Sequence, residues 1–232
     1  MIDISNKRWA SVGRVFIWST VLLMNVDSWV LPFYYPEGHL RLMALMFPGY
    51  VNQLSILHQS PFTDDSHRLL GGVLLILGAL QFEPNLRRSK PFIHRVSGYG
   101  YLTLGFIAAI TGVILVLRHG FGGFPHTAIV LVVVLMYMGM LAKAFVHARA
   151  KNYQYHREWM IRGFALGLFV ATVRNLIFVM VAAGGFGASP QEIFNTAFFM
   201  SVLLNLSVAE WWIQRTKPRS LHGAPSIQAV QS

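Results

Sequence analysis

Six long apolar stretches decide what this chain can fold into. They occupy residues 12–33, 69–82, 96–117, 127–145, 159–183 and 193–212. A helix needs about 20 apolar residues to cross the hydrocarbon core of a bilayer, so each stretch predicts one crossing, the short second one with help from its flanks. Only 12% of the residues are charged, about half the fraction of a soluble domain. The sequence predicts an all-α, polytopic membrane helical bundle with six transmembrane helices. Residues 1–218 form this single domain, and the polar tail 219–232 is expected to be disordered.

The basic residues predict the orientation of the bundle. Of the 19 Lys and Arg residues, fifteen fall on one side of the six stretches. Three fall on the other side, namely Arg41, Arg68 and Arg118. Cytoplasmic loops collect Lys and Arg, so both termini are expected in the cytoplasm, with the protein in a bacterial inner membrane. The same rule explains the net charge of +10 without any nucleic-acid partner.

Four of the nine histidines stand near the start of a predicted span. His67 and His126 fall on the outer side, and His94 and His156 fall on the cytoplasmic side. Two imidazoles from facing helices are a common way to hold a b-type haem inside a bundle. The chain has no cysteine, which excludes thiolate-bound haem and iron–sulfur clusters. The pattern predicts metal ligation of one or two haem irons by the pairs His67–His126 and His94–His156.

Arginine follows three of these histidines, as Arg68, Arg95 and Arg157. An interfacial arginine can bind a haem propionate, a quinone headgroup or a lipid phosphate. His and Arg are also frequent at helix ends because they tolerate the headgroup region, which is the simpler interpretation. His147 and His119 remain alternative ligands on the inner and outer sides.

One arginine lies deep inside a predicted span. Arg174 falls in the outer half of the fifth stretch, and Asp27 reaches a similar depth in the first. Charges at such depth are costly and rarely face lipid. Two explanations stay open: Arg174 pairs with Asp27, or it binds an anionic group such as a haem propionate.

The motifs HRLLGG, LGALQF and HRVSGYGY, followed by YHREWMIRGFAL, resemble a bacterial family of predicted membrane proteins of unknown function. The resemblance covers roughly residues 66–174. It implies a membrane protein without implying an activity. The family's motif positions fall here on His67, Gln81, Arg87, His94, His156, Arg162 and Arg174.

A weaker resemblance is to the ascorbate-reducible transmembrane cytochromes b. In those six-helix proteins four central helices carry one histidine each and hold two haems. The resemblance implies the same two histidine pairs here. The leading hypothesis is therefore a transmembrane electron-transfer protein with bis-histidine b-haem, linked to a quinol or a small reductant. The alternatives are a haem-free membrane enzyme or binding protein acting on a lipid or quinone headgroup, and an accessory subunit of a membrane complex.

Overall fold

The computed structural model describes residues 4–26, 61–119 and 123–216, and in these ranges the regular structure is entirely helical. This confirms the predicted all-α class. The predicted tail, residues 219–232, lies outside the described residues. The helices are α1 (Ile4–Asn25), α2 (Pro61–Gln81), α3 (Pro84–Ser89), α4 (Pro91–His119), α5 (Gly123–Arg149), α6 (Tyr153–Gly167), α7 (Phe169–Ala182) and α8 (Pro190–Thr216), with one 3₁₀ turn at Gly185–Gly187.

Local sequence signals explain several of the helix ends. Helices α2, α3, α4 and α8 all begin with proline, whose fixed φ suits the first helical position and whose missing N–H costs nothing there. Helix α8 also carries a capping box: Glu192 Oε2 accepts from the backbone N–H of Ser189 at 2.7 Å, and the N–H of Glu192 donates back to Ser189 Oγ at 3.3 Å. The turn after α5 contains Lys151 in the left-handed region, with a φ of 56°.

In the described residues, α4, α5 and α8 are each long and apolar enough to cross a membrane. The fifth predicted stretch is not one straight helix, because α6 and α7 meet at Leu168 with a bend of 41° and would together form a fourth span. The apolar part of α2, Ser66–Gln81, is shorter. The count of six spans and the orientation of the termini therefore stay predictions.

Glycines allow close approach where the helices pack. Helix α2 packs mainly on α4, α4 on α5, α5 on α6, and α8 on both α6 and α7. A Cβ on Gly78 of α2 would lie 2.5 Å from Phe164 Cδ2 and 2.8 Å from Tyr101 Cε2, so only glycine fits where α2, α4 and α6 meet. Tyr101 and Leu141 are fully buried at this core.

The break between α6 and α7 is stabilised by a side chain of α8. Asn205 donates from Nδ2 to the carbonyl oxygen of Ala165 at 3.1 Å and accepts from Thr172 Oγ1 at 2.9 Å. A helix break inside a bilayer is tolerated when a neighbouring helix satisfies the freed backbone groups. Asn205 therefore stabilises the bend within the fifth predicted stretch.

Candidate functional site

The N-terminal ends of α4 and α6 bring two of the predicted histidines together. His94 and His156 each lie in the first turn of their helix, half-buried, and are within electrostatic range of one another. His156 Nδ1 lies 2.8 Å from the carbonyl oxygen of Ala144, near the end of α5. His94 Nδ1 is buried and has no hydrogen-bond partner among the described residues.

Two arginines complete a group that we call the cationic cluster: Arg87, His94, His156 and Arg157. Arg87 of α3 is within electrostatic range of both His94 and Arg157. Arg157 donates from Nη2 to Thr216 Oγ1 in the last turn of α8. The cluster therefore joins the ends of α3, α4, α6 and α8 at one end of the bundle. This is the end that the basic residues predict to be cytoplasmic.

A short polar contact joins the end of α2 to α4, just before α3 begins. Gln81, the last residue of α2, donates from Nε2 to Ser97 Oγ at 2.7 Å, and Ser97 Oγ donates in turn to the carbonyl oxygen of Ile93. A Cβ on Gly98 would lie 3.1 Å from Gln81 Oε1, so the glycine leaves room for this amide. The motif residues Gln81 and Gly98 therefore fix the turn that carries Arg87 towards His94.

Arg162 lies one turn further along α6 and makes a salt-bridge clamp, defined here as Glu158, Arg162 and Glu210. Its Nε and Nη2 donate to the two carboxylate oxygens of Glu210 on α8, the second at 2.9 Å. Its Nη1 lies 3.9 Å from Glu158 Oε2. The face of Trp159 is covered by Lys143 Nζ at 4.4 Å and by the Arg162 guanidinium at 4.8 Å. The clamp ties α6 to α8 directly beside the cationic cluster.

The two predicted outer histidines have different neighbours. His67 lies in the second turn of α2, and its Nδ1 is 2.8 Å from Thr111 Oγ1 on α4. His126 begins α5 and is buried edge-on against two rings of α8, with centroid distances of 4.9 Å to Phe194 and 4.7 Å to Phe198. The contacts of His126 thus point to α8, and its pairing with His67 stays a prediction.

The remaining predicted residues are not members of the cationic cluster. Arg95 is exposed beside His94, Arg68 is half-buried on α2, and Arg174 is half-buried on α7. Asp27 lies outside the described residues, so its pairing with Arg174 stays a prediction. His147, the alternative inner ligand, stacks on Tyr155 with a centroid distance of 5.3 Å. The side chain of His119 is not among those described.

Sequence reasoning missed the two acidic residues of the clamp. Glu158 and Arg162 stand four residues apart on one helix face, a spacing that favours an ion pair and was readable from the HREWMIR motif. Glu210 gave no such signal, because its partner lies 48 residues away in the chain. In the described ranges, no group of three or more His, Cys, Asp or Glu side chains could hold a metal ion.

Comparison with known protein families identifies the kind of protein. The family described as "Predicted membrane protein (DUF2306)" matches residues 66–213. The chain belongs to this family. The matched region runs from the residue before His67 to the last turns of α8, so it includes most of the bundle and every residue of the cationic cluster. This confirms the family resemblance drawn from the motifs, and the chain is a membrane protein. No similarity is found to a curated protein or to a solved structure.

Proposed function

We propose that this protein binds the anionic headgroup of a membrane lipid at the cationic cluster, without haem. One observation carries the proposal: Arg87 is held within electrostatic range of both His94 and Arg157, and the buried Nδ1 of His94 has no described partner. Like charges held together are unfavourable unless an anion lies between them. A ligand that supplies the anion would also satisfy the unpaired imidazole nitrogen.

The carboxylate nearest to the cluster is already engaged. Glu158 Oε1 accepts from Gln154 at 3.3 Å, and its Oε2 is paired with Arg162. Arg162 in turn donates two hydrogen bonds to Glu210. The clamp holds two carboxylates and one guanidinium, and Glu158 also lies within electrostatic range of Arg157. Its one surplus negative charge offsets only one of the two arginines of the cluster, which therefore keeps a positive excess.

The backbone favours the same ligand. Both histidines of the cluster lie close to the N-terminus of a helix, where the helix dipole attracts anions. A phosphate group suits this setting because guanidinium groups bind its oxygens in a forked geometry. A quinone would use the same donors through its carbonyl oxygens, without the charge.

The test is binding of defined lipids to the purified protein in phosphatidylcholine nanodiscs. We expect phosphatidylglycerol to bind more tightly than diacylglycerol and more weakly as salt is raised. Arg157→Gln and Arg87→Gln should each weaken phosphatidylglycerol binding about tenfold, since one charge-assisted contact contributes roughly 1.4 kcal/mol. Arg88→Gln is the matched control, because Arg88 is an exposed arginine next to Arg87 on the same helix and is not a member of the cationic cluster.

Equal binding of phosphatidylglycerol and diacylglycerol would contradict the proposal. So would equal losses in Arg87→Gln and Arg88→Gln. If a quinone analogue binds more tightly than phosphatidylglycerol and still depends on Arg157, the headgroup is a quinone and the phosphate assignment is wrong.

A second candidate function, electron transfer through a b-haem, is favoured by the orientation of His156. A carbonyl oxygen only accepts, so the contact with Ala144 puts the proton on Nδ1 and leaves the lone pair on Nε2. Metal-binding histidines commonly use this arrangement. His156 therefore fits a haem iron by ligand chemistry, with His94 as the proposed second ligand, and a haem would supply a one-electron redox couple there.

The visible spectrum separates the two functions. Protein expressed with ample haem should show a Soret band and a low-spin spectrum if the haem hypothesis holds, with loss of that signal in His156→Ala. His147→Ala should keep the signal. Lack of Soret absorption after gentle purification would end the haem hypothesis and leave headgroup binding in place.

A further inference from the structure

A lateral cleft separates α1 from the turn between α2 and α3. It has a volume of about 420 Å³ and is lined by Ser11, Arg14, Val15, Trp18, Ser19 and Glu83. None of these residues belongs to the cationic cluster or to the clamp. The lining of the cleft is mostly apolar but carries the charged groups of Arg14 and Glu83, and α1 exposes apolar side chains beside it, among them Val12 and Phe16. Charged groups next to an exposed apolar surface suit a lipid headgroup with its acyl chains alongside.

The floor of the cleft carries both signs of charge. Trp18 Nε1 donates to Glu83 Oε1 at 2.7 Å, which fixes this carboxylate at the cleft. Arg14 Nη1 lies 3.8 Å from Glu83 Oε2, which is longer than a hydrogen bond. The two groups therefore attract one another, but Glu83 uses no N–H donor of Arg14. The Arg14 side chain is 40% exposed and the Glu83 side chain 23% exposed, so each can meet a ligand.

We propose that this cleft binds the headgroup of a zwitterionic phospholipid that carries a phosphate and a primary ammonium group. Arg14 and the hydroxyl groups of Ser11 and Ser19 bind the phosphate. Glu83 accepts hydrogen bonds from the ammonium group, and the ring of Trp18 adds a cation–π contact. The acyl chains run along the exposed apolar surface of α1.

The two opposite charges make this site different from the cationic cluster. A purely anionic headgroup would meet the repulsion of Glu83, and a purely cationic one would meet Arg14. A headgroup with both charges satisfies both residues at once. Binding at this cleft can therefore be tested separately from binding at the cationic cluster.

The experiment measures lipid selectivity in phosphatidylcholine nanodiscs, using phosphatidylethanolamine and phosphatidylglycerol as probes. Both probes carry a phosphate, and only the first carries a primary ammonium group. The readout is the ratio of their affinities, measured in an Arg87→Gln/Arg157→Gln background so that binding of phosphatidylglycerol at the cationic cluster does not contribute. In this background we expect phosphatidylethanolamine to be favoured about tenfold, the value of one charge-assisted contact. Glu83→Gln should bring the ratio to about one, because the amide keeps an acceptor for Trp18 but loses the charge.

Two further variants and one free ligand complete the test. Arg14→Gln should weaken phosphatidylethanolamine binding about tenfold, whereas Arg14→Lys should keep most of it. Arg88→Gln is the charge-matched control and should leave the ratio unchanged. Free phosphoethanolamine should compete poorly if the acyl chains contribute on α1. Equal competition by free phosphoethanolamine would overturn the assignment to a lipid.

The selectivity ratio decides the proposal. In the Arg87→Gln/Arg157→Gln background, a ratio of about one contradicts it, and so does a ratio that survives Glu83→Gln in protein with unchanged thermal unfolding. If Glu83→Gln unfolds the protein, the comparison of Arg14→Gln with Arg14→Lys decides instead. Equal phosphatidylethanolamine binding by these two variants would contradict a role for the positive charge of Arg14. If Glu83→Gln abolishes the ratio, and phosphatidylglycerol binding to protein with an intact cationic cluster still depends on Arg157, the two sites are independent.

Discussion

Removing Arg162 should destabilise the bundle by leaving a buried carboxylate without its cation. The Glu158 side chain is 10% exposed and that of Arg162 is 18% exposed, whereas the Glu210 side chain is 47% exposed. Breaking a buried pair costs about 3–5 kcal/mol, while an exposed pair contributes at most about 1 kcal/mol. Since Glu210 can turn to solvent and Glu158 cannot, we expect Arg162→Met to cost about 3 kcal/mol, most of it through Glu158.

This reasoning makes a sharper prediction for the double variant. Glu158→Gln alone should destabilise by about 1–2 kcal/mol, because Arg162 keeps its two hydrogen bonds to Glu210. Combined with Arg162→Met, however, it removes the stranded charge. The double variant should therefore be more stable than Arg162→Met alone.

Free energies of unfolding measured by titration from mild detergent into dodecyl sulfate would test both expectations. Arg149→Met is the matched control, because Arg149 is an exposed arginine at the end of α5. A double variant that is less stable than Arg162→Met would refute the stranded-carboxylate explanation. So would an Arg162→Met variant no less stable than Arg149→Met.

Three other predictions use the same membrane preparations. Asn205→Leu removes both hydrogen bonds at the helix break and should lower the free energy of unfolding by about 1–2 kcal/mol, which the detergent titration measures. Gly78→Ala puts a methyl carbon 2.5 Å from a ring carbon and should cost about 1–3 kcal/mol, whereas Gly139→Ala, with nothing within 4 Å, should cost little. Reporter fusions after Asn152 should read as cytoplasmic and fusions after Thr63 as external; the reverse pattern would overturn the predicted orientation.

The all-α class could be predicted from the sequence because apolar runs of this length have few alternatives in a bilayer. The helix starts at Pro84, Pro91 and Pro190 follow from proline alone. The bend at Leu168 could not be predicted, because no proline interrupts the stretch 159–183 and its bend is stabilised by Asn205 from another helix. Such a contact depends on packing rather than on local sequence.

The candidate site was predictable in part. The shared position of His94 and His156 at helix starts correctly placed them at the same end of the bundle. Their chemistry depends on contacts that no motif encodes, such as the carbonyl oxygen of Ala144. Likewise, the aromatic neighbours of His126 come from α8, which the spacing of the histidines does not reveal.

The central claim is that the cationic cluster binds an anionic headgroup. The most direct test is the dissociation constant of phosphatidylglycerol, measured for the Arg87→Gln/Arg157→Gln double variant. Two lost charge-assisted contacts should weaken binding about a hundredfold relative to the wild-type protein, and should flatten the dependence of binding on salt. Wild-type affinity with an unchanged salt dependence in a folded double variant would contradict the claim.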